Sequence, residues 1–421
     1  MKLRRYLVLA GILSILNLTN PVCGQAGWLD DLADKFNDWM EDFKHKRDIR
    51  YTYPQFCKKY FESGDLNQAY NYCLLAKDYD KDFIYQAAVV QYLYRVEKET
   101  DAKTKSRNIK NAIISLQEAE KYLLEKLESG GGDEQSKIET KKKLANVYLW
   151  LSCAYADYYR EIEDDDTANW GREALKTARE YFDKAIALTD EAEGYIIVIA
   201  GIKLSWIYLE NASSAYKWLL EAEAVLGKTL EASEKMKRAT LFPKKEIESA
   251  KMQVYNLRGG LASKRIEYKK DVEQEFEKGK EFYLKAIEIA KKIDQIQDLP
   301  TLIHNLAILH KVKGEYDEYE KLAKEAIEQA RKIAKLGGPG GIMNKERMAR
   351  WYEKLADFYL KQRDDKERAK ECLKAALKAY SDLRLEFKYK DALKFAEYDR
   401  KTGKVSAEIR RIDKMSDKIN Q

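Results

Sequence analysis

Three histidines, His45, His304 and His310, are all that the 421-residue chain offers for imidazole chemistry. His304 and His310 are six apart, about 600° of rotation around a helix, so their rings leave on different sides and make no i, i+4 zinc pair. A serine or cysteine nucleophile would have to recruit one of these three, and no G-x-S-x-G elbow is present. Asp78, Asp80 and Asp82 alternate like the opening of a calcium loop. Phe83 then stands where the sharp turn needs glycine, and Val89 where the bidentate glutamate belongs. The glycines of GGPGG (337–341) are followed by Ile342 and Met343, not by the Lys-Ser/Thr of a phosphate-binding loop. The acidic residues, 71 in all, form too many accidental pairs for carboxylate catalysis to be read from their order. The expectation is a chain with no catalytic residue, no metal and no cofactor.

The ends and the charge limit the setting. Lys2, Arg4 and Arg5 precede an apolar run, Tyr6 to Leu18, that is shorter than the roughly 20 residues a bilayer span needs. Pro21 breaks it, and Gly24 and Ala26 form an A-x-A-like site, so residues 1–26 read as a signal peptide cut after Ala26. Lipid on Cys23 and a retained anchor are the alternatives. Cleavage would lower the formal +6 by three basic residues, leaving no electrostatic support for nucleic-acid binding. Cys57, Cys73, Cys153 and Cys372 would remain, none of them in a C-x-x-C pair.

The elements are helical. Only 5 prolines and 20 glycines interrupt a chain that is 35% charged and rich in Lys and Glu. In KGEYDEYEKLAKEAIEQA (313–330), Tyr316, Tyr319, Leu322, Ala323, Ala326, Ile327 and Ala330 recur at steps of three and four, one face of a helix. Gly314 separates it from a second such face, Leu302, Leu306, Ala307 and Leu309, giving helix, glycine turn, helix.

The placing of small residues resembles the tetratricopeptide repeat (TPR), a hairpin of about 34 residues with small residues late in its first helix and again in its second. Asn305-Leu306-Ala307, Gly314-Glu315-Tyr316, Ala323 and Ala326 follow that order. SGDLNQAYNYCLLAKDYD (63–80) is a second copy, with Cys73 and Ala76 in the places of Ala323 and Ala326, and Cys57 in that of Ala307. KLADFYLKQRDDKERAKECLKAAL (354–377) is a third, needing one extra residue in its turn. Weaker copies begin at Tyr181, Ser214 and Phe282.

The resemblance implies an all-α fold, an αα-hairpin superhelix (a TPR-like solenoid) over residues 51–387, with flanking capping helices at 27–50 and 388–421. It implies a concave groove lined by the first helix of each hairpin. His304, Ile308 and Lys311, with Thr301 and Val312, would face it from the best repeat. Lys58 and Phe61 would face it from the first, and Arg350, Asp357, Glu353 and Leu360 from the last. This mixed set does not match the Lys/Asn/Arg clamp with which TPR adaptors grip a carboxy terminus. The register also brings Cys57 and Cys73 close together, leaving open whether they form a disulfide.

Residues 27–43 form an amphipathic pattern with Trp28, Leu32, Phe36, Trp39, Met40 and Phe43 to one side, a cap on the first repeat or a surface that touches a membrane peripherally. The segments 129–135 and 335–344 read as breaks between hairpins, and 404–420 as a polar terminal helix. The function expected is an exported, non-catalytic scaffold or adaptor that binds protein or peptide partners in the cell envelope. The alternatives are a carboxylate-dependent hydrolase of cell-wall or surface polymers and a binding protein for a small ligand.

Overall fold

The computed structural model describes residues 52–417 except 64, 97–98, 100, 130–132, 163–167, 189–193, 213–215 and 236–243. The signal-like segment with Cys23, the amphipathic stretch 27–43, His45 and the acidic run 163–166 lie outside the described residues. Among the described residues every regular element is helical and there is no strand. The fold is an all-α arrangement of TPR-like αα-hairpins.

Contacts divide the chain into two units, Met1–Ala87 and Ala88–Gln421. In the first, α1 (52–63) and α2 (Leu66–Tyr79) pair. Asp65 caps α2 by accepting a hydrogen bond from the Gln68 amide at 3.2 Å. Cys57 and Cys73 are bonded to each other, with their Cα atoms 4.6 Å apart. The rings of Phe56 and Tyr60 lie 5.0 and 5.5 Å from that of Tyr72. The bond closes a loop across 16 residues, so Cys57→Ser should lower the stability of this hairpin by about 3 kcal/mol. Limited proteolysis within 52–79, with and without reductant, checks it; equal cleavage rates would show that the aromatic packing alone holds the pair.

The remaining helices are α3 (Ile84–Arg95), α4 (Ala102–Glu128), α5 (Glu134–Ile162), α6 (Ala168–Ala187) and α7 (Gly194–Asn211). They continue with α8 (Tyr216–Lys235), α9 (Lys244–Glu267), α10 (Val272–Lys292), α11 (Leu299–Lys313) and α12 (Tyr316–Ala334). The last three are α13 (Gly338–Phe358), α14 (Lys366–Phe387) and α15 (Ala392–Asp417). Within Ala88–Gln421 they pack as hairpins α5/α6, α7/α8, α9/α10, α11/α12 and α13/α14, with α15 laid on α14. The first helices α5, α7, α9 and α11 also touch in that order, forming an inner row. Neighbours on several sides explain why α7 is buried almost all round, and why its sequence YIIVIAGIKLSWIYL is apolar on every side but that of Lys203.

The α11–α12 hairpin shows how sequence sets the geometry. Gly314 takes φ +95°, and its amide donates to Lys311 O while the Glu315 amide donates to His310 O. These two bonds are a Schellman ending, which needs a left-handed residue at that place. Ala307, Ala323 and Ala326 are at most 1% exposed, so the two helices meet where side chains are smallest. Tighter approaches occur elsewhere. A Cβ on Gly259 would stand 2.6 Å from the ring of Tyr283 in α10, and one on Gly201 would stand 1.9 Å from Thr229 Oγ1 in α8.

Two boundaries differ from the sequence reading, and the one extra turn residue expected in the third copy takes a definite form. The segment 335–344 is mostly helix: Gly337 and Gly338 take positive φ, and Pro339 then opens α13. Proline lacks an amide hydrogen and has its φ fixed, so it suits a first turn. The extra residue in the third copy is accommodated by a π-helical turn at Tyr359–Arg363, closed by Asp364 at φ +50°. The terminal helix starts at Ala392, not near 404, and buries Tyr398, Thr402, Val405 and Ile412.

Candidate binding face

The inner row carries the site. On each of three of its helices a strip escapes full burial: Ile199, Lys203, Trp206 and Glu210 on α7; Gln253, Asn256, Gly260 and Lys264 on α9; Thr301, Asn305, Ile308 and Val312 on α11. The spacing is that of one helical face. Contacts fix the register between helices. Leu209 of α7 lies over Gly260 of α9, and Asn305 of α11 donates to Asn256 Oδ1 of α9 at 2.9 Å. Trp206, three residues before Leu209, therefore stands level with the Asn256–Asn305 pair. It is 39% exposed, a large apolar ring left in solvent between Lys203 and Glu210 on a mostly buried helix.

The α5 end of this row is held by charge. Lys203 donates from Nζ to both Asp157 carboxylate oxygens at 3.0 Å, and the Tyr92 hydroxyl donates to Asp157 Oδ2 at 2.6 Å. Each partner is satisfied, so a half-buried ammonium and carboxylate coexist there without an orphaned charge.

The residues expected to face the groove are placed as follows. Ile308 and Lys311 are half-exposed on α11, with Lys311 Nζ 5.3 Å from the centre of the Tyr319 ring. Arg350 and Asp357 are exposed on α13, where Arg350 pairs with Glu346 and Asp357 lies 2.8 Å from Lys361 Nζ. Lys58 is exposed on α1, next to the disulfide. His304 departs from expectation. It is 3% exposed, with its ring stacked on Trp351 of α13 at 4.6 Å between centroids. The neighbouring hairpin covers it, and no periodicity within α11 reports that cover. Neither ring nitrogen has a hydrogen-bond partner. Burial first, then the charges of Lys354 and Lys311, lowers its pKa to about 3.

His310 lies on the other side of α11, edge-on to Phe276 at 5.1 Å, with Nδ1 2.7 Å from Glu315 Oε2. The two histidines do not meet. Among the described residues no group of three or more His, Cys, Asp or Glu side chains is placed to hold a metal ion, and no helix is long and apolar enough to cross a membrane. Cys153 and Cys372 are buried and take no part in the disulfide, and burial pushes the Cys372 thiol up to about 11.

No protein-family model and no curated protein matches the chain. Similar solved structures include a signal-transduction ATPase of the STAND class with a tetratricopeptide repeat sensor from Pyrococcus horikoshii, 18% identical, with 85% of this chain aligned and a TM-score of 0.34. The chain spans 47% of that protein's length. A Rap protein complexed with competence and sporulation factor is 13% identical, covers 87% of this chain and 99% of its own, and has a TM-score of 0.35. A circular tandem repeat protein with a novel repeat topology is 12% identical over 93% of this chain and 94% of its own, with a TM-score of 0.26. The scores are low in all three cases, and the fold assignment rests on the hairpins described above.

Proposed function

We propose that the protein is an exported, non-catalytic scaffold or adaptor that binds a protein segment across the inner row of its TPR-like hairpins. One observation supports this reading most: three successive first helices present Trp206, Asn256, Asn305 and Ile308 on one face, mixing an exposed aromatic ring with paired amides. Such a surface buries an apolar side chain of a partner and offers its backbone hydrogen bonds, the combination that peptide-binding grooves use. Export rests on the charge, length and small-residue pattern of residues 1–26. The envelope is then where the partner is to be sought.

A pull-down from envelope extracts at several salt concentrations, with wild type beside a Trp206→Asp/Ile308→Asp variant, tests the reading. Proteins retained by wild type and lost at least tenfold by the variant are the expected result. Equal recovery by both, or none by either, would count against it. Intact mass of the protein from its native source should match Gly27–Gln421, and an uncleaved mass would replace export by anchoring or retention.

A further inference from the structure

Successive helices from α10 to α15 pack against one another and are joined by short turns, so they run antiparallel and every second turn returns to the same end. The turns at 293–298, 335–337 and 388–391 therefore share one end of the hairpins. Side-chain contacts agree: the Gln297 carbonyl accepts from Arg347 Nη1 at 3.3 Å, and Lys345 Nζ donates to Glu386 Oε2 at 3.3 Å. The four most exposed large apolar side chains among the described residues all stand here: Tyr389 at 89%, Leu393 at 84%, Leu336 at 73% and Leu385 at 62%. Ile296 joins them from the first turn. At the opposite end, where the turns are 268–271, 314–315 and 364–365, Val272 alone belongs to this class among the described residues, at 37%.

The charge at this end is one-sided. Lys332 and Lys335 flank Leu336, and Lys388, Lys390 and Lys394 flank Tyr389 and Leu393, all of them exposed. Asp294 is the one exposed acid in the three turns. Glu386 is taken by Lys345, Glu397 by Lys401 and Asp399 by Arg384, while Asp391 caps α15 by accepting from the Lys394 amide. The last turn is also fixed in shape. Phe387 is buried and stacked on Tyr398, and its carbonyl accepts from the Lys390 and Asp391 amides. Tyr389 and Leu393 are thus carried on ordered backbone.

Large apolar side chains gathered at one end in water mark a contact surface. These project from turns of successive hairpins and form no groove, so they suit a soft apolar layer better than a single pocket. The lysines suit its anionic border, with their stems beside rings: Lys388 Nζ is 5.1 Å from the centre of the Tyr389 ring, and Lys394 Nζ 5.0 Å from that of Phe387. Tyrosine and lysine side by side match the chemistry of a membrane–water interface. We propose that this end of the hairpins docks on an anionic lipid surface. Leu336, Leu385, Tyr389 and Leu393 enter the headgroup layer, and the lysines meet lipid phosphates. The contact is peripheral, since no described helix is long and apolar enough to span a bilayer. It uses helix ends and leaves the Trp206 strip to the protein segment, so it does not rest on the scaffold reading.

Cosedimentation of the protein with vesicles tests this, using phosphatidylcholine alone and phosphatidylcholine with about one third phosphatidylglycerol. Wild type should bind the mixed vesicles about tenfold more tightly than the neutral ones, and less tightly as salt is raised. The triple variant Leu336→Ser/Tyr389→Ser/Leu393→Ser should lower that binding about tenfold, and so should Lys388→Glu/Lys390→Glu/Lys394→Glu. Val272→Ser, at the opposite end, should bind as wild type does. All the substituted side chains are exposed, so the variants should melt with wild type. Cys153 and Cys372 are buried, so an environment-sensitive dye can be placed on Leu393→Cys alone. Its emission should shift to the blue on mixed vesicles, and iodide should no longer quench it. Vesicle binding that neither triple variant weakens would place the contact elsewhere, as in residues 27–43, and overturn the proposal. Adhesion that salt abolishes while the dye stays open to iodide would point to an acidic protein as the partner, and would overturn it as well.

Discussion

Gly259→Ala should be among the most damaging single-methyl changes in the chain, lowering stability by roughly 2–3 kcal/mol. The added Cβ would meet three atoms of the Tyr283 ring at 2.6–2.7 Å, inside any real van der Waals contact. Tyr283 is 3% exposed, and the backbone at Gly259 is tied in, its carbonyl accepting from the Ser263 hydroxyl at 3.1 Å. The clash must therefore be relieved by moving α9 away from α10, which loosens the small-residue contact on which the hairpin depends. Urea titration followed by circular dichroism measures the loss. A double-mutant cycle with Tyr283→Ala isolates its cause. With the ring gone the alanine should cost little, so the double variant should be clearly more stable than the sum of the two single losses. Strict additivity would mean that Gly259 matters for backbone freedom and not for the approach of the helices. Gly201→Ala should behave similarly against Thr229, whose hydroxyl donates to Val225 O at 2.7 Å.

Acid should weaken the protein through His304. Its pKa is about 3 in the folded chain against about 6.5 when unfolded, so the native state favours the neutral ring. Stability from this source is complete above pH 6.5. It declines on the order of 1.4 kcal/mol per pH unit as the pH falls towards 3, because the unfolded chain takes up a proton that the folded one refuses. His304→Leu removes the titrating group while filling the place beside Trp351. Its stability should fall less steeply between pH 6.5 and 4 than that of wild type. Carboxylates protonate in the lower part of this range and affect both proteins alike, so the difference between the two curves is the informative quantity. Parallel curves would show that water reaches His304 and that its burial is not maintained in solution.

The hairpin at 299–334 is legible in the sequence because its determinants are local. Gly314 marks the left-handed turn, Asp317 and Glu318 open α12, Arg331 and Lys332 close it, and the alanines mark the close face. Local reading fails where the environment comes from far along the chain. His304 falls on the strip that a lone helix would show to solvent, but Trp351, on a different hairpin, covers it. Trp206 escapes notice for the opposite reason. Its helix is apolar on nearly every side, and the only pointers to the exposed ring are Lys203 three residues before it and Glu210 four after, two charges too few to stand out as a polar face in an otherwise apolar run. The GGPGG stretch reads as a loop because the same residue types that break helices also begin them, and only the backbone at Gly337 and Gly338 shows which occurs here. Cys57 and Cys73 could be brought together only through the register of a repeat, since neither lies in a recognisable pair motif.

The measurement that bears most directly on function is site-specific photo-crosslinking in the native envelope. A photoreactive phenylalanine analogue replaces Trp206 on the inner row in one strain and Leu284, a half-exposed residue of the outer helix α10, in another. Binding of a protein segment across the inner row requires discrete crosslinked products at position 206 that are missing at position 284 and disappear when Ile308→Asp is added. Products that are the same at both positions, or that form at 284 alone, would contradict it.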